Sequence, residues 1–327
     1  MSVLSRHVVN LLLVAIAAPL FAASATAQPA YPDKTIRIVV PFNAGGPVDQ
    51  LARVVAAKLP LLLGQPAIVE NRGGAATIIG WDAVAKAPAD GYTLLMAGVG
   101  GRTILPSVAN LPYDPAKDLT PVTRVANSPN VFVVNASRPL KTLKEFVAFA
   151  KPQPGRLNAG LAAPGTLTHF AGTLLQRDAG IALTEVPYRG GAPAVTALLS
   201  GEIDFMVADA GAVMPYIQAG KLTVLAVADS RRLPFLPLVP TAPEAGFPNL
   251  VAVNVYGLYA PAGTPKPVID RVAHTVDAIL KQADVQEVIA KLGMVAQSST
   301  PEAFETLHRE QTLLWAPLAK ASGVRVN

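Results

Sequence analysis

Three turns carry the residue types that could bind a ligand, and each joins a strand pattern to a helix pattern. The first is Pro41-Phe42-Asn43-Ala44-Gly45-Gly46-Pro47-Val48-Asp49. Glycine lets the backbone turn sharply and brings its N–H groups close to a ligand. Pro47 suits the first position of a helix, so the unpaired amides of that helix start would face the turn. Such a terminus favours an anion by about 0.3–1 kcal/mol, and by up to ~2 kcal/mol when partly buried. The second turn runs from Gly160 through Ala162, Pro164, Gly165 and Thr166 to His169, and adds the Thr166 and Thr168 hydroxyls. The third, Pro187-Tyr188-Arg189-Gly190-Gly191-Ala192-Pro193, repeats the arrangement. Any one turn could be a plain connector; three in one chain strengthen the anion reading. Asp49 falls near the third helical position, where a carboxylate stabilises a helix start. Capping and ligand contact both remain open for it, and beside an anion it would need a cation or an amine.

Catalytic arrangements are not found. The chain has no cysteine, which excludes a thiol nucleophile, cysteine-held metals and disulfides. Beyond residue 27 the histidines are His169, His274 and His308, and none lies in H-E-x-x-H or at another metal-ligand spacing. There is no G-x-S-x-G elbow and no Walker loop. Gly98-Val99-Gly100-Gly101 fails the G-x-G-x-x-G pattern because Thr103 takes the last position. The chain is therefore expected to be no enzyme and to need no cofactor or metal. Its 27 Lys and Arg against 22 Asp and Glu are scattered, and its aromatics do not interleave with them, so nucleic acid is not an expected partner.

The elements that must position these turns alternate. Strand patterns fall at Ile36–Val40, Ala67–Glu70, Thr93–Met96, Val131–Val134, Arg156–Gly160, Thr184–Tyr188, Ile203–Val207, Leu222–Val227 and Val255–Ala260. Helix patterns lie between several of them. One starts at Pro47, with Pro60 inside it as a kink or a stop. Others open on Thr142 with Glu145, on Asp284 with Glu287 and on Thr300-Pro301; a further apolar face runs from Val268 to Leu280. Alternation of this kind predicts an α/β fold with parallel sheets covered on both faces.

The charged fraction is only 15% and the mean hydropathy +0.38. Part of that apolar excess sits at the N-terminus. Arg6 and His7 precede an apolar run from Val8 to Phe21, and Ala25-Thr26-Ala27 is a cleavage signature before Gln28. A cleavable signal peptide over 1–27 is expected, cut after Ala27, with periplasmic export. Its removal leaves about 300 residues, enough for two domains.

Taken in order, the motifs resemble the substrate-binding proteins of tripartite tricarboxylate transporters, the Bug/TctC family. The resemblance spans roughly Tyr31 to Val326. It is carried by Tyr31-Pro32-Asp33-Lys34, Val39-Val40-Pro41-Phe42, Gly45-Gly46-x-x-Asp49, Val69-Glu70-Asn71-Arg72 and Ala89-Asp90-Gly91-Tyr92-Thr93-Leu94-Leu95. Leu111-Pro112-Tyr113-Asp114, Val186-Pro187-Tyr188-Arg189-Gly190, Gly201-Glu202-Ile203-Asp204, Ala219-Gly220-Lys221-Leu222 and Ala260-Pro261-Ala262-Gly263-Thr264-Pro265 follow. The resemblance implies a two-domain, type II Venus-flytrap periplasmic-binding-protein fold with two crossover strands, near Asn130–Val134 and Val253–Ala260. One domain would be 28–130 plus 253–327, the other 131–252.

It further implies a monomer that captures a small carboxylate between the first and second turns and hands it to membrane transport subunits. A sensor docking on a signalling receptor is the alternative. The implied ligand-binding residues are Phe42, Ala44, Gly45, Gly46, Val48, Asp49, Gly98, Arg102, Gly160, Ala162, Pro164, Gly165, Thr166, His169 and Asp209. Val48, Leu161, Ala163, Gly98 and Leu105 replace residues that are usually small or polar in the family, and Ala208-Asp209 stands where Asp-Asn is common. The site should therefore be less polar than usual, suiting an apolar or aromatic carboxylate better than citrate. Arg102 could meet a second carboxylate or lie on the surface. A side chain at Gly46 is expected to block the approach of a ligand to the backbone.

Overall fold

The computed structural model describes residues 31–162, 165–188 and 190–326. The expected signal peptide and its cut after Ala27 lie outside the described residues, as do Pro164, Ala163 and Arg189. In the unit Met1–Asp33, residues 31–33 form no helix or strand. Lys34–Asn327 is the second compact unit, and all that follows concerns it.

Its strands are β1 (Ile36–Val40), β2 (Ala67–Asn71), β3 (Thr93–Gly98), β4 (Leu119–Asn135), β5 (Asn158–Leu161), β6 (Thr184–Pro187), β7 (Phe205–Asp209), β8 (Leu222–Val227), β9 (Val253–Pro261) and β10 (Val295–Ala296). Its helices are α1 (Pro47–Leu63), α2 (Ile78–Ala85), α3 (Gly100–Thr103), α4 (Leu105–Val108), α5 (Leu143–Ala150), α6 (Leu167–Ala179), α7 (Gly191–Ser200), α8 (Ala210–Gln218), α9 (Lys266–Leu280), α10 (Ala283–Lys291) and α11 (Pro301–Ala321).

The strand order is β2-β1-β3-β9-β4-β7-β5-β6, with β8 and β10 both added to β4. β4 is the spine. Its first part, from Leu119 to Pro129, pairs with β9, and Asn127 and Ala126 also meet β10. Its last part, from Asn130 to Asn135, pairs with β7 and β8. The return crossing is at Ala252, whose N–H donates to the Ala228 carbonyl before the chain enters β9. The two crossover strands of the expected fold are these.

The expectation of parallel sheets needs correction. β1–β2, β1–β3, β5–β6 and β5–β7 are parallel, but every pairing of β4 and the β3–β9 pairing are antiparallel. A chain that leaves one half of the sheet on β4 and re-enters it on β9 must run in opposite directions along the two, so the centre of the sheet is antiparallel.

Local chemistry sets the helix ends. Pro60 does not stop α1, which runs on to Leu63 and closes on Gly64 (φ 75°), whose N–H donates to the Pro60 carbonyl. A proline this close to the end removes one hydrogen bond, while buried Leu59 and Leu63 hold the last turn in place. Thr142 caps α5 by accepting from the Glu145 N–H, and Thr300 caps α11 by accepting from the Ala303 N–H. The box expected at Asp284 and Glu287 does not form. The helix starts at Ala283, and those carboxylates bind Lys58 and Lys291 instead.

Two apolar clusters flank the cleft described below. Val39, Trp81, Tyr259 and Phe304 anchor one; Phe132, Phe146, Phe170, Phe205 and Trp315 anchor the other. The Phe146 and Phe205 rings stack with centroids 4.4 Å apart. α11 serves both, giving Phe304 to the first and Trp315 and Ala319 to the second. Its 21 residues make a strut about 30 Å long.

His308, on α11 between those anchors, is buried. Its Nδ1–H donates to the Phe304 carbonyl (2.6 Å), so its Nε2 accepts from the Tyr259 hydroxyl (2.9 Å). Burial first, and then the Arg102 charge, pull its pKa down to about 3 from an ordinary 6.5. A base with a depressed folded pKa gives stability that is complete above the unfolded value and is lost as pH falls. The melting temperature should therefore decline between about pH 6.5 and pH 4. In a His308→Gln variant that slope should be shallower, whatever its melting temperature at pH 7. An unaltered slope in thermal melts would exclude His308 as the source.

Candidate functional site

At the carboxyl ends of β1, β3, β5, β6 and β7 lies a cleft of about 750 Å³. Ligand sites of α/β sheets form beyond the carboxyl ends of their strands, where connections diverge. On one side the wall comprises Pro41–Asn43 after β1, the Gly73–Thr77 segment and Gly98–Gly101 after β3. On the other it comprises Ala162, Gly165–Thr168, Gly190, Gly191 and Asp209. Asn254 and Tyr256 of β9, Gln311 and Trp315 of α11, and Val326 also line it.

Three helices begin at this wall. The residues before α6, α7 and α8 are Thr166, Gly190 and Asp209, and all three line the cleft. None of the three helices has a side-chain cap. Their first-turn amides have no partners within the helix, and their dipoles place partial positive charge at the cleft. The turn before α7 is fastened to the turn before α6 by the Gly190 N–H, which donates to the Ala162 carbonyl (2.8 Å). Among the described lining residues there is no Lys, Arg or His. The polar side chains facing the cleft are amides, hydroxyls and the Asp209 carboxyl; Thr166 and Thr168 share a hydrogen bond of 2.9 Å.

The candidate residues separate into two sets. Phe42, Gly98, Ala162, Gly165, Thr166 and Asp209 line the cleft. Ala44, Gly45, Gly46, Val48, Asp49, Arg102, Gly160 and His169 do not, for identifiable reasons. The Asp49 carboxylate is 2% exposed and accepts from the Gly45 N–H (2.8 Å), Asn71 Nδ2 (3.0 Å) and Arg53 Nε (3.0 Å). Burial would raise its pKa, but these partners outweigh that and hold it below the usual carboxylate range. Asn71 Nδ2 also donates to the Phe42 carbonyl, so Asp49 and Asn71 together hold the turn that presents Phe42 to the cleft. Val48 is buried in α1 behind that turn.

Arg102 is neither a surface residue nor turned toward the cleft. It is 9% exposed, its guanidinium binds Glu305 (2.6 Å), and it donates to the Pro115 and Ala116 carbonyls. His169 lies beneath the second turn, with Nδ1 accepting from the Gly165 N–H (3.1 Å) and Nε2 facing Glu185 (3.3 Å). The His169 hydrogen bond is the main reason the Glu185 carboxyl sits below its ordinary pKa. Gly160 is a packing glycine in β5, where an added Cβ would lie 2.2 Å from Ile203 Cδ1.

Sequence reasoning missed several lining residues. Tyr256, Gln311 and Trp315 sit within strand and helix patterns that mark only burial, and Trp81 and Asn254 fall outside the patterns read from sequence. Gly101 is the one local hint, since a Cβ there would lie 2.3 Å from the Trp81 ring. Ala75, Ala76 and Thr77 have φ of 44°, 49° and 82°, so a strained turn borders the cleft, where Ala76 and Thr77 line it.

Residues 51–324 match the family model described as the tripartite tricarboxylate transporter family receptor, TctC. The chain belongs to that family. BugT of Bordetella pertussis is 35% identical over 301 residues, covering 90% of this chain and 91% of BugT. A Rhodopseudomonas palustris protein solved with adipate, Rpa4515, is 31% identical with a TM-score of 0.80, covering 90% of this chain and 99% of the other. MatC from the same organism, solved with malate, is 33% identical with a TM-score of 0.76, covering 88% of this chain and all of the other. TctC/Bug proteins are periplasmic solute-binding proteins rather than enzymes. Their fold is the two-crossover α/β architecture seen here.

The two glycines of the first turn differ in what the fold asks of them. Gly46 has φ −74°, and a Cβ there would meet nothing closer than the Asn43 carbonyl oxygen at 3.7 Å. The demanding glycine is Gly45, at φ 86°. Gly46→Ala should shift stability by no more than about 0.5 kcal/mol, whereas Gly45→Ala should cost about 1–2 kcal/mol. Equal melting temperatures for the two variants would show that the turn relaxes.

Proposed function

We propose that this chain is a periplasmic solute-binding protein that captures a small carboxylate, with an apolar or aromatic body, and delivers it to the membrane subunits of a tripartite tricarboxylate transporter. The observation that carries this reading is the convergence of the α6, α7 and α8 starts on a cleft whose described lining has no cationic side chain. Unpaired amides at helix starts bind carboxylates without a counter-charge, and charge-assisted hydrogen bonds contribute about 1.5–3 kcal/mol each. The malate and adipate bound by MatC and Rpa4515 are carboxylates of the class such a site takes. Phe42 and Tyr256 along the walls, with Ile104, Leu105 and Val195, favour an apolar body over a third carboxylate.

In this reading 28–130 plus 253–327 and 131–252 act as two lobes that close over the ligand. The β4 and β9 crossings serve as hinge, and ligand contacts made from both sides favour the closed state. The chain would reach the periplasm through a signal peptide cut after Ala27 and work as a monomer.

Differential scanning fluorimetry with mono-, di- and tricarboxylates tests the reading. At ligand concentrations near 100 Kd, a cognate acid adds about 2.7 kcal/mol and should raise the melting temperature by roughly 4 °C. Aromatic or branched acids should give the largest shifts. A larger shift with citrate would remove the apolar-body preference, and no shift with any acid would remove the carboxylate reading.

A further inference from the structure

The cleft contains one polar group that carboxylate binding does not use. Asp209 ends β7 and is the residue before α8, a position where an aspartate ordinarily accepts from the first-turn amides. Here it does not cap the helix. Its Oδ1 accepts instead from Asn254 Nδ2 (2.7 Å) and from Ser128 Oγ (3.1 Å), both on the crossing strands. Ser128 is buried, and Asn254 Nδ2 also reaches Asn130 Oδ1 (3.4 Å), so this side of the carboxyl is held from behind. No described group bonds Oδ2, and Asp209 lines the cleft. The carboxyl is thus fixed by one oxygen and offers the other to a ligand.

We propose that Asp209 is the counter-ion for a protonated nitrogen, so that the ligand is an amino-carboxylate with an apolar body rather than a plain acid. The inference rests on the carboxylate reading of the helix starts and adds a second anchor to it. Its basis is charge balance. The described lining offers no Lys, Arg or His to an anionic oxygen at this point, so a ligand cation would supply the counter-charge. Burial pushes the Asp209 carboxyl above its ordinary value, opposed by its hydrogen bonds from Asn254 and Ser128. Tyr256 beside it is held as a neutral phenol by burial and then by the Asp209 charge. A zwitterion answers both groups, with its carboxylate at the α6 and α7 starts and its ammonium at Asp209 Oδ2 beside the α8 start. A second ligand carboxylate at this point would meet like charge.

Titration calorimetry at pH 7.5 on the full mature chain tests this with matched pairs: L-phenylalanine against 3-phenylpropanoate, and L-leucine against 4-methylpentanoate. The amino member of at least one pair should bind ten-fold or more tighter. Asp209→Asn, which keeps the size and one acceptor, should bring that pair within about two-fold. Wild-type binding in which the plain acids equal or exceed their amino partners would overturn the proposal while leaving the carboxylate reading intact, as would a preference that survives Asp209→Asn. If neither these compounds nor any acid of the fluorimetry panel binds, the carboxylate reading fails and this inference falls with it. The wild-type comparison stands even if the variant does not fold.

Discussion

The structure depends on a single constraint: one strand is shared by two halves of a sheet. β4 carries backbone hydrogen bonds to β9 and β10 on one stretch and to β7 and β8 on the next. Where partners change, the backbone needs another source of pairing, because a buried unpaired amide or carbonyl is costly. Asn130 meets this need. Its N–H and its Nδ2 both donate to the Ala252 carbonyl, and its own carbonyl accepts from the Ala228 N–H. Asn254 and Ser128 then use their side chains on Asp209. The crossing is thus a satisfied polar cluster inside an apolar sheet, and the cleft opens directly above it.

Around the cleft, residues that face its interior and residues that hold the walls belong to different chemical classes. The described lining is glycine, aliphatic and aromatic carbon, hydroxyls and amides, with the one carboxyl of Asp209. Asp209 apart, the charged groups of these turns stand one layer back: Asp49 with Arg53 behind the first turn, His169 with Glu185 beneath the second, and Arg102 with Glu305 between α3 and α11. Each is consumed by internal partners. The result is a site whose polarity comes from fixed backbone dipoles and one held carboxyl, Asp209. Fixed dipoles need little reorganisation when an anion arrives, and in a low-dielectric cleft they act more strongly than in water.

This division explains what could be read from sequence. Turn chemistry is local, so the Gly- and Pro-bearing turns, the Thr142 and Thr300 caps and most strands were legible, and the motif order pointed to the family. Side-chain destinations are not local. Arg102 looked like a ligand partner or a surface charge because its neighbours in sequence carry no acid; the acid it pairs with is Glu305, on α11. His169 and Asp49 looked like contacts because they sit in binding turns, yet a turn needs internal partners as much as a ligand does. Trp81, Tyr256 and Trp315 come from three distant segments and meet only through the packing of α2, β9 and α11 around the cleft. The antiparallel centre was missed because alternation of strands and helices fixes local connections, whereas the direction of β4 and β9 follows from a chain that crosses out and back.

α11 and the tail add a restraint that the crossing strands alone would not. Phe304 and Trp315 root one helix in both apolar clusters, and the Val326 N–H donates to the Val108 carbonyl (2.9 Å). Val324 and Val326 then lie against Gly165, where an added Cβ would be 3.3 Å from each. The turn that starts α6 is therefore backed by a segment more than 150 residues later in the chain. Movement between the walls has to preserve those contacts or break them together, which favours a small number of discrete cleft geometries over a continuous range. A site that recognises its ligand through amide direction needs that discreteness, because hydrogen bonds to fixed donors weaken steeply once alignment is lost.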